Sequence, residues 1–248
     1  EMFIQWNTGA ARPQISSIVN GASLTNTGLS PGLIFTIFGS GLGLKNGLGL
    51  QLDQSGNVSS NLAGVSVLVN GTAAPLLYMG ANQINAVAPY EIAGNVGQNV
   101  VVQVNDNGTY SNQVSVGVVE TAPAIFSLGN GQGAILNQDG SVNGPGNPAA
   151  RGSYIQIYGT GEGQTNPAGV DGQIAYQSLA DLPRPVAPFS LTIGGMSATY
   201  SYAGTAPQSF DGFFQVDALV PAKLSPGNQP VILKVGGASS APLNVAVK

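Results

Sequence analysis

The chain has 248 residues, a net charge of −4 and only 7% charged residues, with 36 Gly and 16 Pro. Its seven basic residues are scattered singly, so nucleic acid is not an expected partner, and no apolar run approaches the roughly 20 residues of a transmembrane helix. Cys and His are both absent, which removes disulfides, thiolate zinc sites, cysteine nucleophiles, Ser-His-Asp catalysis and most transition-metal sites.

The first element is an arm, residues 1–13, EMFIQWNTGAARP. Met2, Ile4 and Trp6 alternate with Glu1, Phe3 and Gln5, the period-two pattern of a half-buried strand. Trp6 is the single tryptophan, and the small residues Asn7 to Ala11 read as a hinge. No charged region followed by an apolar run opens the sequence, so an export signal is expected to have been removed already. Low charge and many Asn/Gly turns fit an extracellular or cell-surface protein.

Two similar passages follow. SPGLIFTIFGSGLG (30–43) is matched by ARGSYIQIYGTGEG (150–163), and VSVLVNGTAAPLLYMG (65–80) by FSLTIGGMSATYSYAG (189–204). QINAVAPYEI from Gln83 is matched by QVDALVPAKL from Gln215. NVVVQVN and SNQVSVGVV close the first copy as PVILKVG and APLNVAVK close the second. PQSFDGFF, residues 207–214, is extra to the second copy. Self-similarity over about a hundred residues predicts two homologous domains rather than a short-repeat solenoid. A strand end followed by Pro123 puts the boundary near Glu120, giving an arm of 1–13 and domains of 14–120 and 121–248.

Each copy is rich in short Val/Ile/Tyr/Phe runs separated by Asn70-Gly71, Asn107-Gly108, Gly194-Gly195 and Gly236-Gly237, which are hairpin signals. No stretch has convincing helical periodicity. The expected fold class is all-β: two tandem immunoglobulin-like sandwiches related by internal duplication, plus the extended arm. The order PQISSIVNGAS, SPGLIFTIFGSGLG, GVSVLVNGTAAPLLYMGANQINAVAPYE, and its counterpart in the second half, resembles the Solibacter-type C-terminal domain family of exported acidobacterial proteins. The resemblance runs over about residues 13–248, and single pieces are similar to the IPT/TIG group of Ig-like folds. It implies export and a β-sandwich, and no catalytic activity.

The chemical motifs are weak. GSGLGLKNGLGL (39–50) lacks the GK[ST] and helix of a phosphate loop, and GTGEGQ (159–164) puts Glu162 where an anion would sit, so these glycines read as turns after a core strand. NQDGSVNGPGN (137–147) lacks a calcium-loop frame. Glu91, Glu162, Asp171 and Asp217 lie nearest to strand ends, but no spacing selects an acid/base pair. No enzyme, catalytic residue, cofactor or metal site is expected.

Tyr78, Tyr90, Tyr110, Tyr154, Tyr158, Tyr200 and Tyr202 offer material for a glycan platform, although inward or edge positions favour packing. Lys234 is the best-placed lysine for an isopeptide bond, and solvent-facing alternation accounts for it equally. The leading expectation is a structural subunit of a surface filament. It would polymerise with itself head to tail by donating Met2, Phe3, Ile4 and Trp6 as a strand to a neighbour. The alternatives are a surface adhesin or glycan-binding module, or spacer domains of a larger exported protein.

Overall fold

A computed structural model describes residues 12–176 and 178–248. The expected donor residues Met2, Phe3, Ile4 and Trp6 lie outside the described residues. The fold is all-β, and its one named helical element is a short 3-10 turn, Tyr90–Asn95.

In the first half, strands Gln14–Asn20, Ile34–Ser40, Gln83–Val87, Leu76–Met79 and Leu48–Gly49 lie side by side in that order. A second sheet runs Val114–Gly117, Asn99–Asp106, Val65–Val69, Thr72–Ala73. Alternation aims one face of each sheet inward: Val100, Val102 and Val104 are buried while Asn99 and Val101 are exposed. They pack with Val65, Val67 and Val69 of the same sheet and with Phe35, Ile37 and Ile84 of the other, forming one apolar core.

The second half sets the matching strands in the same order. Tyr154–Thr160, Phe214–Leu219 and Tyr200–Thr205 form one sheet; Leu243–Val247, Gly227–Val235, Phe189–Ile193 and Met196–Ser197 form the other. Ile155, Ile157, Val216, Leu191, Leu233 and Val245 fill a separate core. The hairpin turns obey their sequence signals. Asn70-Gly71 and Asn107-Gly108 have positive φ at both residues (52° and 93°, 47° and 86°), the type I′ conformation that matches strand twist.

The halves differ in their first strand. In the first, strand Gln14–Asn20 runs along Ile34–Ser40 with only a bulge between Ile15 and Ser17. In the second, the matching strand is split: Ala124–Ile125 and Ile135–Asn137 both pair Tyr154–Thr160, and a hairpin of Ser127–Gly129 and Gln132–Gly133 lies between them.

The halves are joined by directed bonds. Asn20 Nδ2 donates to Ala122 O (2.9 Å), Val58 N to Gly172 O (2.8 Å), and Tyr90 N to Asp171 Oδ1 (2.9 Å). Ile34 N donates to Thr160 Oγ1 (2.8 Å), whose hydroxyl donates onward to Gly212 O (3.0 Å). Gly212 of the 207–214 segment lies against Gly32 and Val87 of the first half, while the aromatic side chains of that segment pack within the second half. Phe213 stacks on Tyr158 at 5.5 Å and on Phe126 at 5.7 Å, and Phe210 bridges to Ile174.

Candidate functional site

Among the described residues, strand Val114–Gly117 is the last strand of its sheet and pairs only with Asn99–Asp106. In an antiparallel ladder alternate residues bond the neighbour, and those between face away. Val118 bonds toward that neighbour, donating to Gln98 O and accepting from Gly97 N, so by alternation Ser115 and Gly117 face outward. Gly117 O accepts from Leu29 N (2.9 Å). Among the described residues, the Ser115 and Gly117 N–H groups have no partner.

The matching strand of the second half, Leu243–Val247, is covered. Asn244 N donates to Gly131 O (2.7 Å), and Gln132 pairs parallel with Asn244. Ala246 N donates to Asn143 Oδ1 (2.8 Å), Asn143 Nδ2 donates back to Ala246 O (2.9 Å), and Lys248 N donates to Ala149 O (2.9 Å). Ala246 and Asn244 stand where Gly117 and Ser115 stand in the first half. Ala149 has an equivalent in the first half, where Leu29 N donates to Gly117 O and Leu29 O accepts from Val119 N (2.9 Å), so the cover that differs is the inserted hairpin on Asn244 and the Asn143 amide on Ala246.

In place of the hairpin the first half has a groove of about 290 Å3 between strands Gln14–Asn20 and Val114–Gly117, lined by Ser16 to Val19, Asn26 and Val114 to Gly117. Asn112 closes one end, accepting from Ile15 N (2.7 Å) and donating to Ile15 O (3.1 Å). Ile18 and Val116 are buried beneath the groove, while Ser16, Ser17, Ser115 and Gly117 stand at its mouth. Backbone donors above an apolar floor are what an added strand requires.

The joint carries a different feature. Glu162 is fully buried and neither carboxyl oxygen completes a hydrogen bond, although the backbone N–H groups of Glu162 and Gly161 lie near enough to oppose the effect of burial. Burial, with Asp211 adding to it, pushes this carboxyl up from 4.5 to about 8. Tyr90 is also buried, its hydroxyl without a partner, and burial followed by the field of Glu162 raises it well above its ordinary value. Burial likewise raises Asp211, against a bond from Val170 N (2.9 Å), and Asp171, against the bond from Tyr90 N. Glu162 is thus a neutral acid at neutral pH. Leu42, its counterpart in the first copy, is an ordinary core side chain. Among the described residues no three acidic side chains converge as a metal site.

The remaining candidates separate. Gly161 and Gly163 have φ of 86° and 77°, so they make the turn after the Tyr154–Thr160 strand that their composition suggested. The 137–147 loop satisfies itself: Asp139 Oδ1 accepts from Ser141, and Asn137, Asn143 and Asn147 bond one another and the backbone. Lys234 is exposed, opposite Ser190 and Ser239.

Tyr90 and Tyr202 are buried, and Tyr158 is half-buried against Phe213. Tyr78, Tyr110, Tyr154 and Tyr200 are exposed on scattered strands and form no shared platform. The most exposed aromatic among the described residues is Tyr176, at 75%, which strand periodicity could not select because it lies in a loop.

No protein-family model matches the chain, and no curated protein matches it. Among solved structures it is similar to the Bacteroides ovatus mixed-linkage glucan utilization locus protein SGBP-B, in complex with a mixed-linkage heptasaccharide. Identity is 16% and the TM-score 0.34, over 90% of this chain and 44% of that one. The chain thus spans less than half of that protein's length, and a likeness of this degree carries no argument about function.

Proposed function

We propose that this protein is an extracellular structural subunit that polymerises head to tail, the arm of one copy adding as a strand to the 114–117 edge of the next. The observation that supports this reading is the contrast between the two matching edges. The second half covers its edge with its own hairpin, whereas the first leaves a groove whose N–H groups have no partner among the described residues. An open edge of that kind invites association, and the arm has the alternating Met2, Ile4 and Trp6 to fill a groove with an apolar floor.

Residues 1–12, extended at about 3.3 Å each, reach about 40 Å, enough to cross to a neighbour. Donor and acceptor are different surfaces, so the contact is heterologous and repeats into a filament. Removal of residues 1–9 is expected to abolish polymers seen by negative-stain microscopy while leaving a folded monomer. Unchanged assembly by the truncated protein would refute strand donation. The second reading, a surface module that holds glycans, is favoured by the exposure of Tyr176 at an uncharged cleft between the halves.

A further inference from the structure

We infer that the cleft between residues 52–57 and 173–176 is a binding site for neutral oligosaccharides, with Tyr176 as its stacking surface. The cleft has a volume of about 520 Å3, and both halves of the chain line it: Leu52, Ser55 and Asn57 on one side, Gln173, Ile174 and Tyr176 on the other.

Its chemistry selects the ligand class. No charged side chain lines it, so it offers nothing to a phosphate, a carboxylate or a cation. It presents one aromatic ring, two aliphatic side chains, two primary amides and a hydroxyl. Pyranose rings have an apolar C–H face that packs on an aromatic ring and an equatorial rim of hydroxyls that both donate and accept hydrogen bonds. Asn57 and Gln173 carry both functions in one group. Neither amide, nor the Ser55 or Tyr176 hydroxyl, makes a hydrogen bond within the described residues, so all four are open to a ligand.

The walls are held in place. Asp53 Oδ1 accepts from Ser55 N (2.8 Å) and Asn57 N (3.0 Å), fixing the first loop. Val58 N donates to Gly172 O, Gln173 O accepts from Asp211 N (3.0 Å), and Ile174 bridges to Phe210, fixing the second. Gly172 sits at φ +76°, and a Cβ there would come within 2.7 Å of Val58 O, so the loops approach as closely as they do because that residue is glycine. Preformed walls reduce the ordering cost of binding a flexible chain of sugars.

The site rests on the glycan-holding reading and is independent of polymerisation. The test is calorimetric titration of the full chain with three neutral hexasaccharides, cellohexaose, maltohexaose and hexa-N-acetylchitohexaose, with hexagalacturonate as a charged control. At least one neutral hexamer is expected to bind with a Kd below about 1 mM, the charged one at least tenfold more weakly. Tyr176→Ala should weaken binding at least tenfold and Gln173→Ala severalfold, with the thermal midpoint unchanged. Binding of the same strength in Tyr176→Ala overturns this site and leaves glycan holding to another surface. Failure of all the neutral hexamers to bind the wild-type chain overturns both.

Discussion

Glu162 carries the sharpest consequence at the residue scale. Its folded carboxyl titrates near 8 and its unfolded one near 4.5, so between those values the native state binds the extra proton. Stability from this group is complete below about pH 4.5, declines as pH rises and is lost above about 8. Burial of Asp171 and Asp211 adds a decline of the same sign at the acidic end. The Glu162 shift corresponds to roughly 4–5 kcal/mol. Glu162→Gln keeps the shape and removes the titration. Thermal melts are expected to show a variant more stable than wild type at pH 8 and nearly equal to it at pH 4. A parallel pH profile in the two proteins would mean that the acid is solvated.

Tyr90 supplies a second prediction at this scale. Its ring lies so close to Gly169 that a Cβ on that glycine would overlap it, and Gly32 approaches the hydroxyl end in the same way. Gly169→Ala should therefore cost about 1–3 kcal/mol by overpacking the joint. Chemical denaturation would show it as a lower midpoint.

At the scale of elements, the 114–117 edge can be blocked without touching the core. The Ser115 N–H faces away from its own sheet, so proline there removes a donor only from whatever adds to the edge. Ser115→Pro is expected to stop assembly and to lower stability by no more than about 1 kcal/mol. Light scattering paired with circular dichroism separates the two effects. Normal assembly by this variant would place the contact on another surface.

The strands themselves were legible in the sequence because short-range chemistry determines them. Alternation set Val100, Val102 and Val104 inward, and Asn-Gly pairs made the turns at 70–71 and 107–108. The open edge was not legible. It is a difference between two pairings distant along the chain, visible only once Asn244 and Ser115 occupy equivalent places beside filled and empty space. Tyr176 escaped for a related reason, since loop residues carry no periodicity and its partners across the cleft lie more than a hundred residues away. Glu162 stands at the position that Leu42 occupies in the first half, but nothing local to it indicates burial within the field of Tyr90 across the joint.

At the scale of the whole molecule, two sandwiches bonded at a fixed joint make a stiff unit that, among the described residues, has one covered edge and one open edge. Stiffness comes from short bonds across the joint, from Asn20 to Ala122, Ile34 to Thr160, Val58 to Gly172 and Tyr90 to Asp171. Under the proposed strand donation, a rigid unit whose arm and acceptor groove are different surfaces would propagate in one direction, whereas a self-complementary contact would stop at a dimer.

The most direct measurement adds a synthetic peptide of residues 1–12 to protein that lacks those residues. Strand donation predicts saturable one-to-one binding that protects the Ser115 and Gly117 amides from hydrogen exchange and is lost in Ser115→Pro. Absence of binding, or protection confined to residues away from the 114–117 edge, would contradict it.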